Sequence, residues 1–89
     1  MTRNVSKGND MAKVFLSNED RACHRFATWV QGEKKIQKIN DTDLAEERGI
    51  SQPAMSRKLR LEVFDFKDFV CLARKLGADA ETLKYILGL

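Results

Sequence analysis

The stretch from Leu44 to Leu59, LAEERGISQPAMSRKL, sets a glycine inside an otherwise helical run and follows it with Ser51, Gln52 and the chain's single proline, Pro53. Glycine readily takes the left-handed conformation that closes a helix, and serine caps the next one. Proline is tolerated in a first turn, where its missing N–H has no intrahelical partner. The stretch therefore reads as two short helices joined by a tight turn at Gly49, a helix-turn-helix. Asn40, with Asp43 three residues on, caps the first of them, and Leu44 and Ala45 form its buried side. Met55 and Leu59, four residues apart, form the inward face of the second.

Upstream, Ser17 and Asp20 open a first amphipathic helix in which Ala22, Cys23, Phe26, Ala27, Trp29 and Val30 recur at helical spacing. Gly32 weakens it by about 1 kcal/mol relative to alanine, so this helix runs on to Gln37 or breaks into two pieces. Downstream, Phe66, Phe69, Val70, Ala73 and Leu76 form the stripe of a further helix that stops at Gly77 behind Arg74 and Lys75. Asp79 caps a last segment in which Ala80, Leu83, Ile86 and Leu87 share one face. The run LKYIL also alternates, so a terminal strand is the alternative there. Residues 1–13 lack an apolar period and read as a flexible tail, or as a basic arm carrying Arg3, Lys7 and Lys13. Residues 14–89 then make one all-α domain, a compact bundle of four to five helices.

Eighty-nine residues suit a single core and leave no room for a second domain. Sixteen lysines and arginines against thirteen acids leave a net charge of +3, which permits a polyanionic partner without requiring one. Distribution says more: acids gather between Asp41 and Glu47, and bases at Lys34, Lys35 and Lys38 and again at Arg57, Lys58 and Arg60. Cys23 and Cys71 have no metal-ligand spacing, and with His24 as the single histidine no metal site or cofactor is expected. Cys23 and His24 are neighbours on a helix, point about 100° apart and lack a third catalytic group, so the chain is not read as an enzyme. No apolar run approaches the ~18 residues of a membrane span, and the polar first ten residues lack the hydrophobic stretch of a signal peptide. A cytoplasmic location with no membrane partner is the expectation.

The second helix of the pair carries groove-reading chemistry. A duplex major groove is about 12 Å wide and admits one helix, whose outward side chains meet base edges. With Met55 and Leu59 turned inward, Ser51, Gln52, Ser56, Arg57 and Arg60 face outward or sideways. Glutamine pairs with adenine N6 and N7, arginine with guanine O6 and N7, and serine with several bases. Lys58 and Arg60 are placed for phosphate, each neutralised phosphate adding about 0.9 to the salt slope of duplex binding.

At these residues the chain resembles the Cro and phage-repressor superfamily, the lambda-repressor-like, XRE-type regulators. Leu44, Ala45, Gly49, Ile50, Ser51, Gln52, Met55, Ser56 and Arg57 match its pattern, and FDFKDFVCLARKLGADAETL is similar to the stretch that usually follows. The similarity covers Ile39 to Leu83. It implies that residues 51–60 lie in the major groove, with base contact from Ser51, Gln52, Ser56 and Arg57. It also implies phosphate contact near Thr42, at the start of the second helix, and from the loop after the recognition helix. Three positions depart from the pattern. Asp41 stands where the family commonly has a glutamine beside the phosphate backbone, and a carboxylate there repels phosphate unless it caps a neighbouring amide. Arg48 replaces an apolar residue, so its stem should lie on apolar surface with its charge in water. Lys58 and Leu59 replace an aromatic and a glutamate, so the junction to the next helix is expected to pack differently.

The expected function is sequence-specific binding of double-stranded DNA by a small phage- or mobile-element-type transcriptional regulator. A short reading helix covers only a few base pairs, so a homodimer is expected, joined through Leu83, Tyr85, Ile86, Leu87 and Leu89. No small-molecule ligand is indicated. The alternative is a protein-interaction or structural module, an antitoxin or phage component, with little DNA affinity.

Overall fold

Each helix starts on a short polar side chain and stops on a residue in the left-handed region, so its limits follow from local chemistry. The computed structural model describes residues 17–89. Within them run α1 (Asn18–Gln37), α2 (Asp41–Arg48), α3 (Gln52–Leu61), α4 (Phe66–Leu76) and α5 (Ala80–Leu87). The expected tail at residues 1–13, with Arg3, Lys7 and Lys13, lies outside the described residues.

The Ser17 hydroxyl accepts from the Asp20 amide at 3.0 Å, and the Asp20 carboxylate accepts from the Ser17 amide at 3.2 Å. Two of the otherwise orphaned donors at the start of α1 are thereby satisfied. Asn40 and Asp43 repeat this exchange at the head of α2, at 2.9 and 3.1 Å. Gly49 closes α2 at φ 79°, its amide donating to the Ala45 carbonyl at 2.8 Å, with the Ile50 amide on the same carbonyl at 3.0 Å. Ser51 then accepts from the Ala54 amide at 3.3 Å and starts α3, with Pro53 in its first turn. Gly32 does not break α1: it lies exposed on an unbroken helix.

The last segment is a helix and not a strand, and no strand occurs among the described residues. Asp79 accepts from the Thr82 amide at 2.8 Å, Ile86 is buried and Leu83 half-buried. A strand would need a partner edge for its backbone, whereas α5 satisfies its own and packs on α1. The Arg25 guanidinium of α1 donates to the Ile86 carbonyl at 3.0 Å, and Gln37 donates to the Leu76 carbonyl at 2.8 Å. In this way α1 side chains take up carbonyls that the last turns of α5 and α4 leave open.

The core draws on every helix: Phe26 and Val30, Leu44 and Ala45, Met55 and Leu59, Leu72 and Leu76, and Ile86. Phe26 meets Phe64 edge-on at 5.0 Å between ring centres and Phe69 at 4.9 Å, spacings at which aromatic quadrupoles attract. The stripe of α4 differs from the expected one. Phe66 is 79% exposed at the edge of the first turn, and the buried positions are Asp68, Leu72, Ala73 and Leu76.

The reason for that rotation is Asp68. Its carboxylate is wholly buried and accepts from Arg48 Nε at 2.8 Å, Lys58 Nζ at 2.8 Å and the Asp65 amide at 2.9 Å. Burial works to raise its carboxyl, but the bonds from Lys58, the Asp65 amide and Arg48 outweigh it and hold the group below the ordinary carboxylate value. Arg48 is therefore not a charge left in water. Its guanidinium binds Asp68 and comes within 3.5 Å of Asp65, and the bond to Asp68 raises its affinity for its proton. One carboxylate on α4 thus fastens the end of α2 and the middle of α3.

Candidate nucleic-acid interface

With Met55 and Leu59 in the core, the opposite side of α3 faces solvent. Gln52, Ser56 and Arg60 follow one another at four-residue spacing along the flank between the core side and the solvent side, with Arg57 beyond them opposite Met55 and Leu59. Gln52, Arg57 and Arg60 are exposed, and Ser56 is half-buried. Ser51 sits at the tip of α3, exposed, its hydroxyl oxygen serving the Ala54 amide.

The three cations of α3 have separate fates. Lys58 Nζ is bonded to the buried Asp68, on the side of α3 that meets α4. Arg57 and Arg60 form no ion pair among the described residues. Two guanidiniums are therefore exposed on the outer side of α3, and Gln52 is exposed at its first turn.

A cleft between the end of α1, the start of α2 and the tip of α3 borders this face. Lys34, Lys35, Asn40, Thr42 and Gln52 line it, and Thr42 is exposed in the first turn of α2. Asp41 lies at its floor and does not cap an amide: that task falls to Asn40. Instead Asp41 pairs with Lys34 and accepts from the Ser56 hydroxyl at 2.6 Å. Burial pushes the Asp41 carboxyl up, and the bonds from Lys34 and Ser56 more than offset this, leaving it below the ordinary value. Ser56 Oγ in turn accepts from Gln52 Nε2. Lys34, Asp41, Ser56 and Gln52 thus form one chain of hydrogen bonds across three helices.

The expected site residues therefore fall into two groups. Thr42, Ser51, Gln52, Arg57 and Arg60 are exposed, whereas Ser56 and Lys58 are bonded into the fold. Sequence reading missed Asp68 as the partner of Lys58, although the spacing of Asp65 and Asp68 before an apolar run is itself a capping signal. It also missed the contact of His24 Nδ1 with Glu62 at 2.9 Å, which links α1 to the end of α3.

A second concavity is apolar. Cys23 and Phe26 of α1, Phe64, Phe66, Phe69 and Leu87 line it. Phe66 and Leu87 of this lining are exposed, as are Tyr85 and Leu89 elsewhere on the surface. Among the described residues no three His, Cys, Asp or Glu side chains gather as a metal site. No described helix is long and apolar enough to cross a membrane. No protein-family model, no curated protein and no solved structure matches the chain.

Proposed function

We propose that this protein binds double-stranded DNA by laying α3 in the major groove, as the resemblance to the Cro and phage-repressor regulators implies. The observation that carries the reading is the outward face of α3. Gln52 and Arg57 offer hydrogen-bonding groups to base edges, and Arg57 and Arg60 form no ion pair with an acid among the described residues. Thr42 in the first turn of α2 and Lys35 across the cleft lie beside this face, where a phosphate backbone flanking the groove would pass. Ser51 adds a hydroxyl at the tip. Ser56 acts through Gln52, and Lys58 contributes to the fold.

A short reading helix specifies few base pairs, so the working form is a homodimer on a palindrome, with half-sites about 34 Å apart. The exposed Phe66, Tyr85, Leu87 and Leu89 supply the apolar surface for pairing. The same surface supports a second reading, a helix-turn-helix module that docks on another protein and has little DNA affinity.

Fluorescence anisotropy with a random-sequence duplex over a salt series separates the two. Groove binding gives complexes at low salt that weaken steeply as salt rises. Reversal of charge at Arg57 and Arg60 together should abolish them. If binding is absent, or survives that reversal unchanged, the groove-reading model is wrong and the docking module stands.

A further inference from the structure

We infer that the apolar groove between α1, α4 and α5 is the docking site of the chain's own residues 14–16, with the Phe15 ring as the anchor. These residues precede the described ones, and the inference does not depend on DNA binding. Its starting point is the surface that α1, the α3–α4 loop and α5 leave open.

The groove holds about 420 Å³, within the ~300–1,000 Å³ of ordinary ligand sites. Its floor is Cys23, Phe26, Phe64 and Phe69, and of these four only Phe26 is fully buried. Phe64 and Phe69 pack on the core and still line the groove. A concave apolar surface of this kind is stabilised by whatever brings apolar side chains to cover it.

Position, reach and composition select the occupant. Ser17, the cap of α1, is extended at φ −70° and ψ 169°, so the chain before it does not prolong the helix axis. Cys23 lies about 9 Å along the helix from Ser17 at ~1.5 Å per residue, and three extended residues span about 10 Å. Residues 14–16 are Val, Phe and Leu, the apolar run that adjoins Ser17. An extended segment alternates its side chains, so one of them, Phe15, turns inward. There it meets Phe64 and Phe69, the two rings that Phe26 already contacts from below. Lys13 comes to a rim that carries two acids, Glu19 and Asp65, and Glu19 forms no ion pair among the described residues. A second copy of the chain brings the same concavity, and two concavities across a two-fold axis do not fill each other. The groove is thus kept closed by the chain itself, and another protein that docks there must first displace Phe15. Tyr85 and Leu89, outside the groove, stay exposed for pairing.

Nuclear Overhauser spectra of the unaltered chain test this directly. The Phe15 ring protons should show contacts to Phe64 and Phe69, and a mixture of labelled and unlabelled protein should show none of these between copies. Absence of the contacts, or their occurrence between copies, overturns the inference. Cys23 supplies a second measurement in Cys71→Ser protein, where it is the single thiol. Phe15→Ser should raise the rate at which Cys23 reacts with a water-soluble aromatic disulfide by about 5-fold or more, with the helical circular dichroism unchanged. An unchanged rate overturns the inference. If a variant fails to fold, the Overhauser contacts of the unaltered chain decide.

Discussion

Asp68→Asn should be the most damaging isosteric change on this chain. The asparagine oxygen can still accept from one of Arg48 and Lys58, but its nitrogen cannot accept from the other, and the negative charge between two cations is gone. Removing one member of a buried ion pair costs about 3–5 kcal/mol, because opposite charges remain without compensation. Here the Arg48 and Lys58 side chains are 21% and 28% exposed and can partly turn to water, so the lower end applies, about 3 kcal/mol. For a chain of this size each kcal/mol moves the melting temperature by about 4–8 °C, so a fall of about 12–24 °C is expected. Urea and thermal unfolding followed by circular dichroism at neutral pH measure it. The dependence on pH gives an independent check. The folded carboxyl is held below its ordinary value of 3.8, so its contribution is present above that pH and is lost as pH falls through the lower, folded value. The gap between wild type and Asp68→Asn must therefore narrow in acid. A loss under about 1 kcal/mol at neutral pH, or a gap that stays constant into acid, would refute the view that Asp68 joins α2, α3 and α4.

Other expectations follow from single contacts. Arg60→Gln should lower the slope of log affinity against log salt by about 0.9, the share of one phosphate contact, and should leave base preference unaltered; an unchanged slope places Arg60 off the backbone. Gly49→Ala puts a side chain at φ 79° with nothing within 4 Å of the new Cβ, so the cost is purely conformational. It should be about 1 kcal/mol in urea titration, and an unaltered midpoint would contradict the left-handed turn. Phe66→Asp, at a position 79% exposed, should change unfolding stability by no more than about 0.5 kcal/mol while shifting sedimentation from dimer to monomer. Sedimentation identical to wild type would exclude this patch from the dimer surface.

Features that depend on near neighbours were legible in the chain. Ser17 with Asp20, Asn40 with Asp43, and Ser51 before Pro53 are starting signals written within four residues, and Gly49 and Gly77 are stops of the same kind. These caps set the helix limits at those positions with hardly any reference to the rest of the molecule, because orphaned amides are satisfied locally. The inward pair Met55 and Leu59, and hence the outward Arg57 and Arg60, follow from the same helical period, whereas Gln52 is exposed because it opens α3. Partner choice was not written in that way. Arg57, Lys58 and Arg60 are alike as a run of bases, yet among the described residues Lys58 alone of the three meets a carboxylate, ten residues later in sequence, that the packing of α4 buries. Asp41, Ser56 and Gln52 come together only when α2 and α3 cross, and Lys34 joins them from α1. The stripe of α4 turned away from Phe66 for a similar reason, since a buried Asp68 answered by two cations outweighs one more aromatic in the core. By itself the sequence determined where α2 begins and ends, where α1 and α3 begin, where α4 stops, and that Met55 and Leu59 turn inward. Tertiary structure alone decided which charges of α3 are paired within the fold and which stay unpaired among the described residues, because an ion pair depends on distances across helices that no local pattern contains.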